Sequence, residues 1–367
     1  MPIPTADEVS AFWLTACLRS AGHDGVEVRG FEATRIGTGQ IGKCIRYTLD
    51  LATPAVPIRS SIGDRAGEVP RSLVGKFPSD DPVSRQTGVD LGNYRREVEF
   101  YRHLRSRLTI RTPRCYYAEI EGAGPRFALL LSDLSPAEPG DQLTGCTEPV
   151  ARAAVLELAG LHAPTWNDPS ILGVDWIGEP TPEAVERNRG WYRSLLPGFF
   201  DRYGHRLQAD SRVILERVAA SSGLPFTGRP DPFALTHVDY RLDNLLIDPR
   251  TEPPAVTVVD WQSITVGRPL ADVAYFLGAG LLPEQRRRCE EAIVREYHER
   301  LLATGIDGYA WDECWADYRR GTFAGFLVTV IASMIVQETE RGNEMFTVMA
   351  QRHTRHALDL GAAELLS

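Results

Sequence analysis

Cysteine is scarce in this sequence and forms no metal or redox motif. The six cysteines are scattered along the 367 residues, at Cys17, Cys44, Cys115, Cys146, Cys289 and Cys314. No two of them form a C-x-x-C pair, and none is spaced from a histidine as the ligands of a zinc site are. Scattered single cysteines in a chain of this size predict reduced thiols and argue against a disulfide framework.

Long apolar runs and an excess of positive charge are also absent. The longest mostly apolar stretch, residues 323–336, is shorter than the roughly 20 residues that cross a bilayer. Residues 1–8 have no basic segment followed by an apolar one, unlike a signal peptide. Forty Lys and Arg against 49 Asp and Glu give a net charge of −9, which on average repels a nucleic acid backbone. We therefore expect a soluble, cytoplasmic protein that binds neither membranes nor nucleic acid.

The N-terminal third of the chain carries both helix and strand patterns. Thr5 and Glu8 form a capping-box pattern that predicts a helix continuing to about Gly22, and a second helical stripe begins near Asn93. Residues 45–51 alternate apolar and polar side chains, which is typical of a half-buried strand. A long loop is predicted at 52–72, where proline and glycine cluster, and further strands are predicted at 73–77, 114–120 and 126–131.

The pattern changes after Asp133, where helices dominate. Short strands are predicted only at 233–236 and 255–259, and the arginine run 286–288 is predicted to lie on a solvated helix face. The length exceeds that of one ordinary compact domain. The predicted fold class is therefore α+β, with a β-rich domain over residues 1–132 and a mostly helical domain over residues 133–367.

A glycine-rich motif precedes the strand predicted at 45–51. Its sequence has the pattern G-x-G-x-x-G, Gly37-Thr38-Gly39-Gln40-Ile41-Gly42, which occurs in dinucleotide-binding folds and in kinases. A dinucleotide-binding motif opens a helix, whereas this one runs into a strand. Because glycine lets backbone N–H groups approach closely, a loop between strands can cover nucleotide phosphates. An ordinary glycine-rich hairpin has the same pattern and stays an alternative for these residues alone.

The strongest catalytic signal is an H-x-D-x-x-x-x-N pattern, His237-Val238-Asp239-Tyr240-Arg241-Leu242-Asp243-Asn244. Asp260 follows 16 residues after Asn244, at the end of an apolar strand. Phosphoryl transfer needs one carboxylate at the acceptor hydroxyl, and a second carboxylate with an amide oxygen to hold Mg²⁺ on the phosphates. Asp239 suits the first role, and Asn244 with Asp260 suits the second, although Asp and Asn are also common in solvated turns.

A lysine lies inside an apolar run, which is an unusual place for an unpaired charge. Lys76 is part of the strand predicted at 73–77, and the helix that follows carries Glu97. A strand lysine held by a helical glutamate reaches the α- and β-phosphates in protein-kinase-like nucleotide sites. A lysine that extends from an edge strand into solvent is the alternative.

The order of these motifs resembles the aminoglycoside phosphotransferase and choline kinase superfamily of small-molecule kinases. The shared order is glycine loop, strand lysine, helix glutamate, H-x-D-x-x-x-x-N, and D-W-Q at residues 260–262. Residues 36–42, 97–101 and 158–163 are similar to the ecdysteroid-kinase-like (CHK kinase-like) branch, and residues 267–275 resemble the segment after the metal-binding aspartate. The resemblance runs from about residue 36 to residue 275, and its motifs are specific to the superfamily, not to one substrate.

The resemblance implies a bilobal, protein-kinase-like fold with ATP in the cleft and residues 129–134 as the hinge. The cofactor-binding residues that it implies are Gly37, Thr38, Gly39, Gln40, Gly42, Lys76, Glu97, Leu131 and Asp133. Arg241 stands where protein kinases place a lysine that steadies the γ-phosphate. His237 would be a buried structural residue, and Asp272 would brace the helical lobe unless it caps a surface helix.

Departures from the protein-kinase pattern indicate a small acceptor. Val238 replaces the arginine that grips a phosphorylated activation loop, and only 11 residues separate Asp260 from Asp272. This spacing leaves no room for a long loop that docks a peptide. Gln262 stands where many relatives have an acid or glycine. Whether a second metal ion is coordinated therefore stays open.

We therefore predict an ATP- and Mg²⁺-dependent phosphotransferase that acts on a hydroxyl group of a small molecule. An aminoglycoside, a sugar, a steroid or another natural-product alcohol would fit. Asp239 and Arg241 are the predicted catalytic residues, and Asn244 and Asp260 the predicted metal ligands. The alternatives are a pseudokinase that binds a nucleotide and acts as an interaction partner, a protein kinase, and a nicotinamide-dependent oxidoreductase, which the strand after the glycine motif disfavours.

Overall fold

The structure is a computed structural model that describes residues 1–37, 39, 41–52 and 69–366. Thr38, Gln40 and most of the loop predicted at 52–72 lie outside the described residues. The chain divides into two compact units: the first contains Met1–Ser106, Thr112–Pro136 and Asp260–Gln262, and the second contains Arg107–Arg111, Ala137–Val259 and Ser263–Ser367. No helix in the described part of the chain is long and apolar enough to cross a membrane.

An antiparallel sheet forms the frame of the first unit. Its helices and strands are α1 (Ala11–Ser20), β1 (Val28–Ile36), β2 (Gly42–Leu51), β3 (Ser72–Pro78), α2 (Pro82–Asp90), α3 (Asn93–Glu99), β4 (Cys115–Ile120) and β5 (Phe127–Ser132). The strand order is β1-β2-β3-β5-β4. All six residues of β5 are buried, which indicates that both faces of this strand are packed. The strands predicted at 45–51, 73–77, 114–120 and 126–131 are confirmed to within a few residues.

The first helix begins later than the capping box predicts. The backbone N–H of Thr5 does donate to Glu8 Oε2 at 2.8 Å, but these residues enclose only a short 3₁₀ turn. Ser10 then accepts a hydrogen bond from the backbone N–H of Trp13 and caps α1. Trp13 and Leu18 pack from α1 into the apolar core of the sheet.

Helices make up most of the second unit. Its elements are β6 (Glu138–Pro139), α4 (Glu148–His162), α5 (Pro182–Tyr203), α6 (Ala209–Ala220), β7 (Ala234–Thr236), β8 (Leu245–Asp248), β9 (Ala255–Val258), β10 (Thr265–Gly267), α7 (Pro269–Gly280), α8 (Pro283–Ala303), α9 (Trp311–Gly321), α10 (Ala324–Ile335) and α11 (Glu340–Asp359). β7 pairs with β10, and β8 pairs with β6 and β9. β6, β8 and β10 were not predicted from the sequence, because they have two to four residues each and therefore no measurable periodicity.

The core of the second unit surrounds α7, in which every residue except Ala271 is buried. His353 of α11 packs against this helix with its ring fully buried, and burial lowers its pKa to about 3. The prediction for the arginine run is wrong at Arg286. Its side chain is 1% exposed and pairs with Glu290 at 2.7 Å and with Asp359, because α8 turns this position inward.

At Gly160, helix α4 lies very close to the backbone of Thr109 and Ile110. The Gly160 carbonyl accepts hydrogen bonds from the backbone N–H groups of Thr109 and Ile110 at 3.1 and 3.2 Å. A Cβ atom on Gly160 would lie 2.5 Å from the Ile110 nitrogen, a distance that a side chain cannot occupy. This close approach explains why glycine stands inside a helix despite its low helix propensity.

Gly160→Ala should therefore destabilise the protein by about 1–3 kcal/mol, the usual cost of overpacking. Gly190 in α5 provides the matched control, because a Cβ there would meet no atom within 4 Å. Gly190→Ala should stabilise the protein by about 0.5–1 kcal/mol through helix propensity. Urea denaturation monitored by circular dichroism measures both, and a Gly160→Ala variant as stable as the wild type would contradict the close approach.

Candidate active site

Lys76, on β3, lies between two carboxylates within the first unit. Its Nζ atom is 2.6 Å from Glu97 Oε2 and 2.7 Å from Asp260 Oδ1. The Lys76 and Glu97 side chains are 12% and 2% exposed. Burial opposes the charge on Lys76, but Asp260 and Glu97 outweigh it and raise the pKa of the ammonium group above its ordinary value. The predicted Lys76–Glu97 pair is confirmed, and the contact with Asp260 is an additional finding.

The segment that carries Asp260 is fixed to α3 and the turn after it. Trp261 stacks on Phe100 with ring centroids 4.0 Å apart, and the Asn93 side chain donates to the Gln262 carbonyl at 3.1 Å. Asp260 itself has a φ of +67°, in the left-handed region that residues other than glycine rarely adopt. The surrounding contacts hold this strained backbone, which is a common feature of functional sites.

The glycine motif makes room for Lys76. A Cβ atom on Gly42 would lie 3.2 Å from Lys76 Cε and 3.1 Å from the Phe77 carbonyl oxygen. Gly37 has a φ of +72°, which favours glycine. The Tyr94 hydroxyl donates to the Ile41 carbonyl at 2.6 Å and so ties the motif to α3. Gly39 is described, whereas Thr38 and Gln40 lie outside the described residues.

The two predicted hinge residues have different environments. Leu131 lies in β5 with 7% exposure. The Asp133 carboxylate accepts hydrogen bonds from Arg46 at 2.7 and 3.2 Å and from the Ser72 hydroxyl at 2.8 Å. The Asp133 side chain therefore ties β2 to β3.

In the second unit, three side chains orient the carboxylate of Asp239. Oδ1 accepts from the Tyr275 hydroxyl at 3.0 Å and lies 3.2 Å from Arg241 Nε, and Oδ2 accepts from Asn244 Nδ2 at 3.0 Å. Burial raises the pKa of Tyr275 well above its ordinary value, so its hydroxyl keeps the proton that it donates. The contact between Tyr275 and Asp239 was not predicted from the sequence, because no spacing rule indicates it.

The backbone before Asp239 is strained and is held by Asp272. Val238 has a φ of +72°, which is unfavourable for a β-branched residue. Asp272, 1% exposed, accepts the backbone N–H groups of His237 and Val238 at 2.7 and 2.9 Å. His237 is fully buried, and its Nε2 bonds the Val259 carbonyl at 3.1 Å. Asp272 is thus a buried brace, as the resemblance implied, and not a surface cap.

Arg241, which was expected to steady the γ-phosphate, contacts the carboxylate of Asp239. Besides the contact with Asp239, its Nη1 donates to Met345 Sδ at 2.9 Å and lies 3.9 Å from Asp243 Oδ2. The guanidinium therefore lies next to Asp239, where it can offset the negative charge of the carboxylate.

The donor atoms at the predicted metal positions are hard oxygens. Asn244 uses its amide nitrogen to bond Asp239, and its amide oxygen is the atom that a cation would take. The Asp260 carboxylate supplies further oxygens. The described residues contain no cluster of three or more His, Cys, Asp or Glu side chains suited to a metal ion. Magnesium sites in phosphotransferases usually take one or two protein oxygens and complete their shell with phosphates and water, so these residues fit.

A family model places the chain among phosphotransferases, and solved structures share its fold. The model of the phosphotransferase enzyme family (APH) matches residues 71–318. The choline kinase from Cryptosporidium parvum Iowa II has a TM-score of 0.55 at 12% identity, with 96% of this chain and 98% of that chain covered. A protein from Ralstonia eutropha JMP134, provisionally classed as an aminoglycoside phosphotransferase, has a TM-score of 0.51 at 17% identity, with 95% and 98% covered. These likenesses show the kinase-like α+β fold.

Curated sequences match only over a short stretch. Acyl-CoA dehydrogenase family member 11 from Gallus gallus is 49% identical over 45 residues, which are 12% of this chain and 6% of that protein. The protein of the same name from Pongo abelii is 45% identical over 42 residues, or 11% and 5%. The chain thus matches about one-twentieth of the length of these relatives.

The chain belongs to the phosphotransferase enzyme family, since the family model covers well over half of it. It has a β-sheet N-terminal region and a helical C-terminal region, in common with the solved structures that share its fold. The ecdysteroid-kinase-like branch stays a prediction.

Lys76→Met should destabilise the protein by about 3–5 kcal/mol, because it leaves two carboxylates without their buried counter-charge. This loss of stability should become smaller as the pH falls. Burial raises the pKa of Glu97, so its carboxylate takes up a proton on acidification and then needs no counter-charge. Lys76→Met combined with Glu97→Gln should recover part of the lost stability. Urea denaturation at several pH values measures all three proteins, and additive losses in the double variant would contradict the buried pair.

Proposed function

We propose that this protein transfers the γ-phosphate of ATP to a hydroxyl group of a small molecule and requires Mg²⁺. The observation that carries the proposal is the arrangement at Asp239, whose carboxylate is oriented by Tyr275, Arg241 and Asn244. A carboxylate aimed in this way, in a member of a phosphotransferase family, suits an acceptor hydroxyl. A natural-product alcohol such as an aminoglycoside, a sugar or a steroid is the proposed substrate class.

Asp239 is proposed to orient the acceptor hydroxyl and to take its proton. As the acceptor oxygen bonds to the γ-phosphorus, the bond to the β-phosphate oxygen breaks and ADP leaves. The Tyr275 and Asn244 hydrogen bonds hold one carboxylate geometry, which reduces the reorganisation needed at the moment of transfer. Arg241 is proposed to steady the γ-phosphate from its position beside Asp239.

Lys76 and Glu97 are proposed to position the α- and β-phosphates of the nucleotide. Lys76 carries a firmly held positive charge, because two carboxylates raise its pKa. Gly37, Thr38, Gly39, Gln40 and Gly42 are proposed to cover the phosphates with backbone N–H groups, and Leu131 and Asp133 to contact the adenine from the hinge.

Asn244 and Asp260 are proposed to hold Mg²⁺ through their side-chain oxygens. When bound, the ion would neutralise charge on the β- and γ-phosphate oxygens. Lys76 pairs with Asp260 here, so the same carboxylate serves both as counter-ion to the lysine and as a proposed ligand.

The segment between Asp260, a proposed metal ligand, and Asp272 is short, which supports a small acceptor. Residues 261–271 are taken up by a 3₁₀ turn at Trp261–Ser263, by β10, and by the start of α7. No long segment comparable to an activation loop lies between Asp260 and Asp272, and both of these residues are described.

Asp239→Asn should lower turnover by about 10²–10⁴-fold, the usual contribution of a proton-accepting side chain, while ATP binding stays largely intact. The assay is ADP release with a panel of hydroxylated acceptors, with ATP affinity measured separately by calorimetry. Asp307→Asn is the matched control, since this carboxylate is exposed in the second unit and should not affect turnover.

Retained turnover in Asp239→Asn would remove Asp239 from the proposed role. ATP binding without transfer to any acceptor in the wild type would instead favour a pseudokinase.

A further inference from the structure

A cavity lined by arginines lies in the second unit, outside the proposed active site. Its volume is about 660 Å³, within the range of small-molecule sites. The lining residues come mainly from the first turns of α8 and from α11, and they are Gln208, Leu282, Pro283, Glu284, Gln285, Arg287, Arg288, Val348, Gln351, Arg352 and Arg355. Four guanidinium groups and one carboxylate, Glu284, therefore face this space.

One face of α11 supplies the most deeply placed of these groups. Val348, Gln351, Arg352 and Arg355 recur at intervals of three and four residues, so they share a side of the helix. Arg352 is 8% exposed and donates to the carbonyls of Gln142, Leu143 and Ala279. It has no carboxylate within ion-pair distance among the described residues, and burial lowers its pKa. A buried cation without an anion beside it favours an anion in the adjoining cavity.

The other arginines differ in how far nearby acids neutralise them. Arg287 pairs with Asp359 at 2.8 Å, and Arg355 pairs with Asp210 at 3.2 Å. Arg288 is exposed and forms no ion pair within the described part of the chain. The four arginines of the lining, set against these two acids and Glu284, leave an excess of one positive charge.

The start of α8 adds further donors. The helix has 21 residues, and its first turn, at Pro283–Gln285, lines the cavity without a side-chain cap. The N–H groups of Glu284 and Gln285 belong to this first turn, where a helix offers them no acceptor, and the helix dipole favours a negative ligand at such a position.

We infer that this cavity is a second binding site, for a small molecule that carries several phosphate or carboxylate groups. Guanidinium groups bind both kinds of oxyanion through paired hydrogen bonds, and Gln208, Gln285 and Gln351 can bind the uncharged part of the ligand. The inference does not depend on the proposed phosphoryl transfer, because none of the lining residues belongs to the proposed active site.

The test is calorimetric titration of the full chain with inorganic pyrophosphate and, separately, with citrate. The wild type should bind at least one of them saturably, more weakly at high salt, and with a stoichiometry of one. Arg288→Gln should weaken binding about tenfold through loss of a charged hydrogen bond. Arg300→Gln is the matched control, because Arg300 is an exposed arginine on the same helix and lies outside the cavity, so its binding should equal that of the wild type.

The two titrants distinguish the source of the anion. Preference for pyrophosphate identifies a phosphorylated ligand, and preference for citrate identifies a polycarboxylate. Absence of saturable binding of either anion would overturn the inference. Equal binding by the wild type and Arg288→Gln would also overturn it, because the anion would then occupy another site.

Discussion

The buried charge of Lys76 is the constraint on which the first unit depends. A lone ammonium group inside a sheet would cost several kcal/mol, so the fold must bring carboxylates to it. Glu97 comes from α3 and Asp260 from a segment that returns to this unit after more than a hundred residues. The stack of Trp261 on Phe100 and the bond from Asn93 to Gln262 hold that segment in place. One strand lysine thus fixes the position of three separate parts of the chain.

A second constraint governs the helical unit. Val238 is held at a positive φ directly before Asp239, and such strain costs about 1–3 kcal/mol. Asp272 offsets it by accepting two backbone N–H groups, while Tyr275, one turn later on the same helix, donates to Asp239. Helix α7 therefore both stabilises the strained backbone and orients the carboxylate. Its almost complete burial gives both contacts a rigid support.

The sequence predicted the features that follow from local patterns. Periodicity predicted the long alternating strand at 45–51. The cost of an unpaired charge predicted the Lys76–Glu97 pair, and the resemblance in motif order implied the burial of His237. It could not predict the contact of Lys76 with Asp260, which joins residues 184 positions apart. Tyr275 was missed because its contact with Asp239 depends on how α7 packs. Arg286 was placed in solvent because a run of three arginines does not reveal which of them a helix turns inward.

Asp260 and Lys76 are proposed to form part of a Mg²⁺-dependent ATP site. The most direct measurement is thermal unfolding with ATP, with and without Mg²⁺, for the wild type and Asp260→Ala, with NADPH as the control nucleotide. At 100 times Kd, binding should add about 2.7 kcal/mol of stability. We expect ATP to stabilise the wild type more strongly when Mg²⁺ is present, and we expect no Mg²⁺ effect in the variant. A wild type that ATP does not stabilise, or an unchanged Mg²⁺ effect in Asp260→Ala, would contradict this proposal.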